Sequence, residues 1–451
     1  MKKFTLILLV AICLSGFTVK AQEATVSEKL SEVNDKVNGL TERLATDEAD
    51  LSKLTKIKVS GYVQAQFQNA ESPLVQPTNY FSIRRARLKF TYEAADGIKF
   101  VIQPDFSPGN ITLKDAYIVL NDRWTKAFSL TAGKFNRPNY EVEYSSSQRE
   151  LVERSAVIRA IYPGERAIGA KLEYNPQNLP LHVQLALLNG ADGLTINNSA
   201  GVNQNPTENT DFDNYKDIMV RATYNLSLGS FGGLDFGAHG YFGALKSNAL
   251  KTLSSDYTTV KDIKVGDAVK RNWVGGEFQL FADVLGGMSF KGEYIAGKNA
   301  SIGYSPVTGT APVAGVANYQ NKFAGYYLYF IKNLGKKNQF AFRYDYYDPN
   351  TDITGKDVAV IGYTTTDATT LKSKMSGKSD LATSTFGIAL HHYFDDNIRI
   401  TLDYDIVKNE KVGTPGKVTD AAKNADGSAG TVDWSNAINQ NMLTLRIQAK
   451  F

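Results

Sequence analysis

The sequence predicts an all-β fold: a transmembrane antiparallel β-barrel of about sixteen strands, preceded by a short helical segment. Three observations lead there. From residue 57 onward apolar residues recur with a period of two. Most segments with that period are near the roughly 9–11 residues a tilted membrane strand needs. The connections between them alternate between short and long, as the two rims of an outer-membrane barrel require.

Composition agrees. The 451 residues include 23 Phe, 24 Tyr and 37 Gly, yet the mean hydropathy is slightly negative. Many aromatics in a polar chain suit a wall with one face in lipid and one in water. After residue 20 no stretch stays apolar over the roughly 18 residues of a spanning helix.

The first residues read as an export signal. Lys2 and Lys3 precede an apolar run from Phe4 to Phe17, and Val19-Lys20-Ala21 places the cut before Gln22. The boundaries are thus signal 1–21, helix 22–56 and barrel 57–451. Cys13 is the only cysteine, so the mature chain has no disulfide and no thiol chemistry. Losing Lys2, Lys3 and Lys20 from the 50 Lys and Arg leaves 47 against 46 acidic residues, +1. Net charge therefore points to no nucleic-acid partner, and any ion preference must come from where charges sit.

Residues 23–55 carry a heptad seam of Leu30, Val33, Val37, Leu40, Leu44, Leu51 and Leu54, with Asp47 as its polar entry. A lone helix this long has no core for the seam. It pairs with copies of itself as a coiled coil, or packs on the periplasmic rim of the barrel.

In the first barrel segment, Ile57, Val59, Gly61, Val63, Ala65 and Phe67 share one face, and Lys58, Ser60, Tyr62, Gln64, Gln66 and Gln68 share the other. Further segments lie at 80–92, 97–106, 112–120, 127–135, 167–175, 181–188, 217–227, 233–243, 271–282, 287–297, 323–332, 339–347, 383–394, 397–407 and 441–451. Links after even segments are short and rich in turn formers. Links after odd ones are long, 107–111 excepted. An even count puts both barrel ends at the short-turn, periplasmic rim. The last segment ends on Phe451, an amphipathic strand with a terminal aromatic like the signal read by the barrel-assembly machinery.

Within segment 80–92, Ala86, Leu88, Phe90 and Tyr92 suit lipid, so Arg85, Arg87 and Lys89 face the lumen as a ladder of cations. Guanidinium groups in a narrow wet channel bind phosphate or carboxylate in bidentate fashion, and cation rings favour anion passage. The competing reading pairs them with carboxylates that parity also turns inward: Asp105, Glu173, Asp235, Glu277, Glu293, Asp345, Asp403 and Asp405. The loop 136–166 adds Arg137, Arg149, Arg154, Arg159 and Arg166, interleaved with Glu141, Glu143, Glu150, Glu153 and Glu165. It either folds inward and narrows the pore or stays outside, neutralising itself.

The stretches Ser82-Ile-Arg-Arg-Ala-Arg-Leu88, Leu113-Lys-Asp-Ala-Tyr117, Ala132-Gly-Lys-Phe-Asn-Arg-Pro138 and Tyr144-Ser-Ser-Ser147, then Glu153-Arg154-Ser155, resemble the phosphate-selective porin O and P family. The resemblance is densest over residues 57–175. It implies a trimeric sixteen-stranded outer-membrane pore with an arginine ladder and a constricting third loop, taking up small anions such as phosphate. Arg85, Arg87 and Arg154 carry over from its motifs; Lys89, Arg149 and Arg159 complete the candidate anion-binding set. The many acidic lumen positions on later strands depart from an anion-selective pattern.

No catalytic motif appears, and the reading is not an enzyme. No cofactor or metal site is assigned: parity turns His182, His239 and His391 toward the lumen, and the adjacent His391 and His392 point to opposite faces of a strand, so they do not chelate one metal. The expected partners are outer-membrane lipid, small anionic solutes and sister copies. The rival functions are a non-selective porin and a structural barrel tethered through its coiled coil.

Overall fold

The computed structural model describes residues 29–48, 51, 55–75, 77–107, 109–190, 196–197, 203–204, 213–247, 251–264, 266–304, 316–358, 377–416, 418–423 and 428–451. The export-signal segment 1–21 and Leu54 of the heptad seam lie outside the described residues.

Helix α1 covers residues 29–48. An ion pair one turn apart, Lys36 Nζ to Glu32 Oε1 at 2.7 Å, supports its outer face. The seam residues Leu30, Val33, Val37, Leu40 and Leu44 are 50–72% exposed. The helix and the barrel are separate compact units.

The barrel strands are β1 (Ile57–Ala70), β2 (Asn79–Ala95), β3 (Ile98–Asp105), β4 (Thr112–Asn121), β5 (Phe128–Asn136), β6 (Arg166–Tyr174), β7 (Leu181–Leu188) and β8 (Asp217–Ser227). The second half is β9 (Gly232–Lys246), β10 (Ala268–Ala282), β11 (Met288–Tyr304), β12 (Val316–Leu334), β13 (Asn338–Asp348), β14 (Thr383–Tyr393), β15 (Ile398–Asn409) and β16 (Met442–Lys450). Each pairs antiparallel with its chain neighbours, and β16 closes the ring against β1 from Tyr62↔Lys450 to Ala70↔Met442. Closure leaves no unpaired edge in lipid, where a bare backbone N–H or C=O costs several kcal/mol.

The burial pattern is the reverse of a soluble core. Leu445 and Ile447 of β16 are exposed on the outer face, while Thr444, Arg446 and Gln448 are buried toward the lumen. β7 does the same with Leu185 and Leu187 outside and Gln184 inside. The tight link between β2 and β3 turns on Gly97 at φ +76°, a conformation that glycine adopts without steric cost. Aromatic pairs such as Phe128 and Tyr174, with ring centroids 4.9 Å apart, sit beside the short turns, where an interfacial girdle belongs.

Long connections fill the other rim. Three of them form hairpins among the described residues: Ile196–Asn197 with Asn203–Gln204, Lys251–Leu253 with Val260–Asp262, and Thr419–Lys423 with Ala429–Asp433. Leu253, Tyr257, Ile353, Leu381, Val412 and Trp434 make a second apolar cluster among these loops.

Candidate functional site

The connection between β5 and β6 lies inside the barrel. It contains two short helices, α2 (Tyr140–Glu143) and α3 (Ala156–Ile161). Val142, Leu151, Val157, Ile158, Ile161 and Tyr162 give it an apolar face, and all six are buried. The far wall answers with Tyr241, Trp273, Phe323, Tyr327 and Tyr329, in one cluster with them. Trp273 stacks on Tyr241 at 4.0 Å and donates from Nε1 to Tyr162 Oη at 2.9 Å. Each fully buried Leu, Ile or Val is worth about 1.5–3 kcal/mol, enough to hold the loop inward. Glycines make the space. A Cβ on Gly325 would stand 2.6 Å from Val157 Cβ, and one on Gly387 2.2 Å from Leu151 Cδ2. The external, self-neutralising loop is therefore not what forms.

Polar contacts pin the loop all round the wall. Asn139 caps α2 through the Val142 N–H at 3.2 Å and donates to Glu293 Oε1 at 2.6 Å. Glu141 accepts from the Ser155 N–H and hydroxyl and from Tyr329 Oη, tying α2, α3 and β12 together. Ser146 reaches β1, where Gln64 donates to its carbonyl at 3.1 Å. Glu153 receives a bidentate pair from Arg84 at 2.8 and 3.0 Å, and lies 3.9 Å from Arg85 and 3.3 Å from Arg446. Burial pushes the Glu153 carboxyl up, but the Arg84 hydrogen bond and the charges of Arg84, Arg85 and Arg446 outweigh it and hold it well below the usual range.

The six candidate cations divide by how their donors are used. Arg87 is tied to Asp105 at 2.7 Å, directly opposite it in the β2–β3 register, and to Tyr62 Oη and Ser146 Oγ. Arg154 donates to the Glu141 and Val142 carbonyls and pairs with Glu165. Burial, then the neighbouring charge of Arg149, lowers its pKa. Arg85 donates to Gln64 at 3.0 Å while its Nε has no hydrogen-bond partner among the described residues. Arg149 is buried, yet none of its three guanidinium nitrogens makes a hydrogen bond among the described residues; Glu165 lies 3.6 Å away. Burial lowers its pKa to about 10, so it stays charged at neutral pH. Lys89 lines the open cavity, and Arg159 is exposed at the end of α3.

Glu165 holds the loop's return in a left-handed conformation at φ +58°, unusual for a side chain with Cβ. Its carboxylate contacts Arg149, Arg154 and Arg166. Strain at such positions persists only where surroundings impose it.

Between the loop and strands β1–β6 is a cavity of about 570 Å³. Arg87, Lys89, Arg154, Arg166, Lys171 and Lys450 line it, against Asp115, Glu143 and Glu173, an excess of three positive charges. The acidic positions of later strands are on the opposite wall. Glu277 is bound by Arg221 at 2.6 Å, Asp345 lies 2.7 Å from Arg343, and Asp403 accepts from the Val152 N–H. Arg84, Arg221, Arg343 and Arg446 escaped the sequence-based site. Parity alone could nominate Arg446, between lipid-facing Leu445 and Ile447; Arg84 carried no such signal.

Comparison with known proteins places this architecture. An outer membrane channel, DcaP of Acinetobacter baumannii, superposes with a TM-score of 0.53 at 13% identity, covering 88% of this chain and 97% of that one. An anion-selective porin from Comamonas acidovorans gives 0.50 at 11% identity over 88% and 99%. These likenesses speak to the fold. A comparison with curated proteins finds no match. The model described as phosphate-selective porin O and P matches residues 57–268, which hold the first nine strands, the cation ladder and the inward loop. The first half of the barrel is thus similar to the phosphate-selective porin O and P family, and the whole barrel has the fold of outer-membrane porins.

Proposed function

We propose that this porin passes small anions, phosphate-like oxyanions among them, and that selection occurs where the inward loop meets β2. The observation that carries this reading is the Arg149 guanidinium, buried without a hydrogen-bond acceptor among the described residues. A buried donor left unmade costs about 1–3 kcal/mol, and an oxyanion in transit supplies acceptors. Arg85, with an Nε that also has no hydrogen-bond partner among the described residues, and the excess positive charge of the cavity extend the site along the lumen. A guanidinium fork suits phosphate or carboxylate. The acidic far wall does not oppose the reading, because its carboxylates are paired with cations or packed beneath the loop. Arg87 and Arg154 serve mainly to hold the loop.

Under a KCl gradient in a planar bilayer the reversal potential should take the anion-selective sign, with phosphate blocking chloride current. Arg149→Gln should weaken that block about 10- to 100-fold, since hydrogen bonds to charged groups are worth about 1.5–3 kcal/mol. Its thermal stability should barely change. Weakly selective conductance in the folded wild type would favour a general porin, and no conductance a structural barrel.

In the same reading residues 1–21 are a removed export signal, the short-turn rim faces the periplasm, and α1 joins three copies there. The exposed heptad seam supports that assembly. Light scattering in detergent should give the mass of a trimer, reduced on deletion of residues 29–55. An unchanged trimer would assign assembly to the barrels instead.

A further inference from the structure

We infer that the far wall carries a divalent transition-metal site formed by His239, Glu277 and Glu293. The three come from neighbouring strands. Glu277 of β10 stands directly opposite Glu293 of β11, and Gly237, two residues before His239 in β9, stands opposite Glu277. The shared parity turns all three side chains inward, and all three are buried. Their ligand atoms lie within 4.8 Å of one another. His239 Nδ1 is 3.3 Å from Glu293 Oε1 and 3.9 Å from Glu277 Oε2. Donors bound at about 2.0–2.2 Å around a tetrahedral Zn²⁺ are about 3.4 Å apart, so small shifts would complete the geometry.

A second observation points to a ligand. The His239 side chain is fully buried, yet neither ring nitrogen has a hydrogen-bond partner among the described residues. A buried imidazole normally finds a partner for at least one nitrogen. The gap at Gly275 is part of the site, because a Cβ there would stand 2.4 Å from His239 Cε1.

The carboxylates are oriented and only partly neutralised. Asn139 donates to Glu293 Oε1 at 2.6 Å and Tyr327 to Oε2 at 2.5 Å. Arg221 directs its closest bond, 2.6 Å, at Glu277 Oε1 and a single longer one, 3.1 Å, at Oε2, the atom nearer His239. Two buried carboxylates share one guanidinium, so a divalent cation would balance the charge of the ionised pair. One imidazole and two carboxylates suit Zn²⁺ and its borderline neighbours better than calcium or magnesium, with a fourth position left for water. Because Asn139 belongs to the inward loop, the metal would brace the wall against the loop's first anchor.

The test uses the full untagged chain, folded in detergent and freed of metal with EDTA. Zn²⁺ titration calorimetry should show one equivalent per barrel, and Co²⁺ should give the visible absorption of a low-coordinate site. Thermal unfolding should move up with Zn²⁺ and back with EDTA. His239→Ala and Glu293→Gln should each weaken binding by more than the roughly 10–100-fold typical of losing an outer-shell partner. His182→Ala, beside Glu173 at 3.2 Å, should leave it unchanged. If His239→Ala fails to fold, Glu293→Gln and the wild-type Co²⁺ spectrum still decide. No saturable uptake by folded wild type would overturn the proposal, as would binding lost with His182 and kept without His239.

Discussion

Replacing Glu153 with alanine is expected to destabilise the protein by about 1.5–3 kcal/mol, the usual worth of hydrogen bonds to a charged group at a partly buried site. The loss is large because one carboxylate serves three guanidinium groups on two strands. Arg84 binds it through two hydrogen bonds, Arg446 approaches to 3.3 Å and Arg85 to 3.9 Å. Arg85 and Arg446 are buried, so each would lose its nearest counter-charge where water cannot replace it. The pH dependence has a definite sign. The folded carboxyl lies below its ordinary 4.5, so its stabilisation is complete above about pH 4.5 and falls only as pH drops toward the depressed value. The wild type should keep its loop docked at pH 4, and Glu153→Ala should lose that margin at every pH above 4.5. Thermal unfolding at pH 7 and pH 4 measures both. A variant as stable as wild type at pH 7 would mean that the three arginines find other partners.

What could be read beforehand follows from where lipid imposes a rule. The sequence periodicity over 181–188 and 217–227 coincides with β7 and β8, because each residue there must choose lipid or lumen. The periodicity ends at 297 where β11 runs on to Tyr304, and it begins at 323 where β12 already starts at Val316. Those extensions belong to the long-loop rim, where alternation is no longer enforced. The loop hairpin at Thr419–Lys423 carries no periodic signal for the same reason. Among the site residues, parity sent Arg85 and Arg87 inward, and the register then set Arg87 against Asp105. Parity could not say that Arg149 would be left without acceptors. That depends on contacts such as Val152 with Asp403 and Arg154 with its own α2, which form only once the loop has crossed the lumen. The acidic wall misled for a related reason: facing inward is not the same as facing the open path.

Replacing residues 140–162 by a short Gly-Ser linker should raise single-channel conductance severalfold and abolish most of the anion preference. Conductance should rise because α2, α3 and the apolar cluster between them occupy the lumen. Selectivity should fall for two separate reasons. The linker removes Arg149, Arg154 and Arg159 and the constriction that focuses their field. It also uncovers Glu293, Asp345 and Asp403, now buried on the opposite wall, so cations gain a favourable path of their own. Heat-modifiable migration should confirm that the barrel survives, since its sixteen strands pair with one another and not through the loop. The reversal potential then separates two accounts of the pore. If it collapses toward zero, selection belongs to the docked loop and its arginines. If conductance rises and anion preference stays, selection belongs to the wall, with Lys89 and Lys171 lining the cavity as the residues to substitute next.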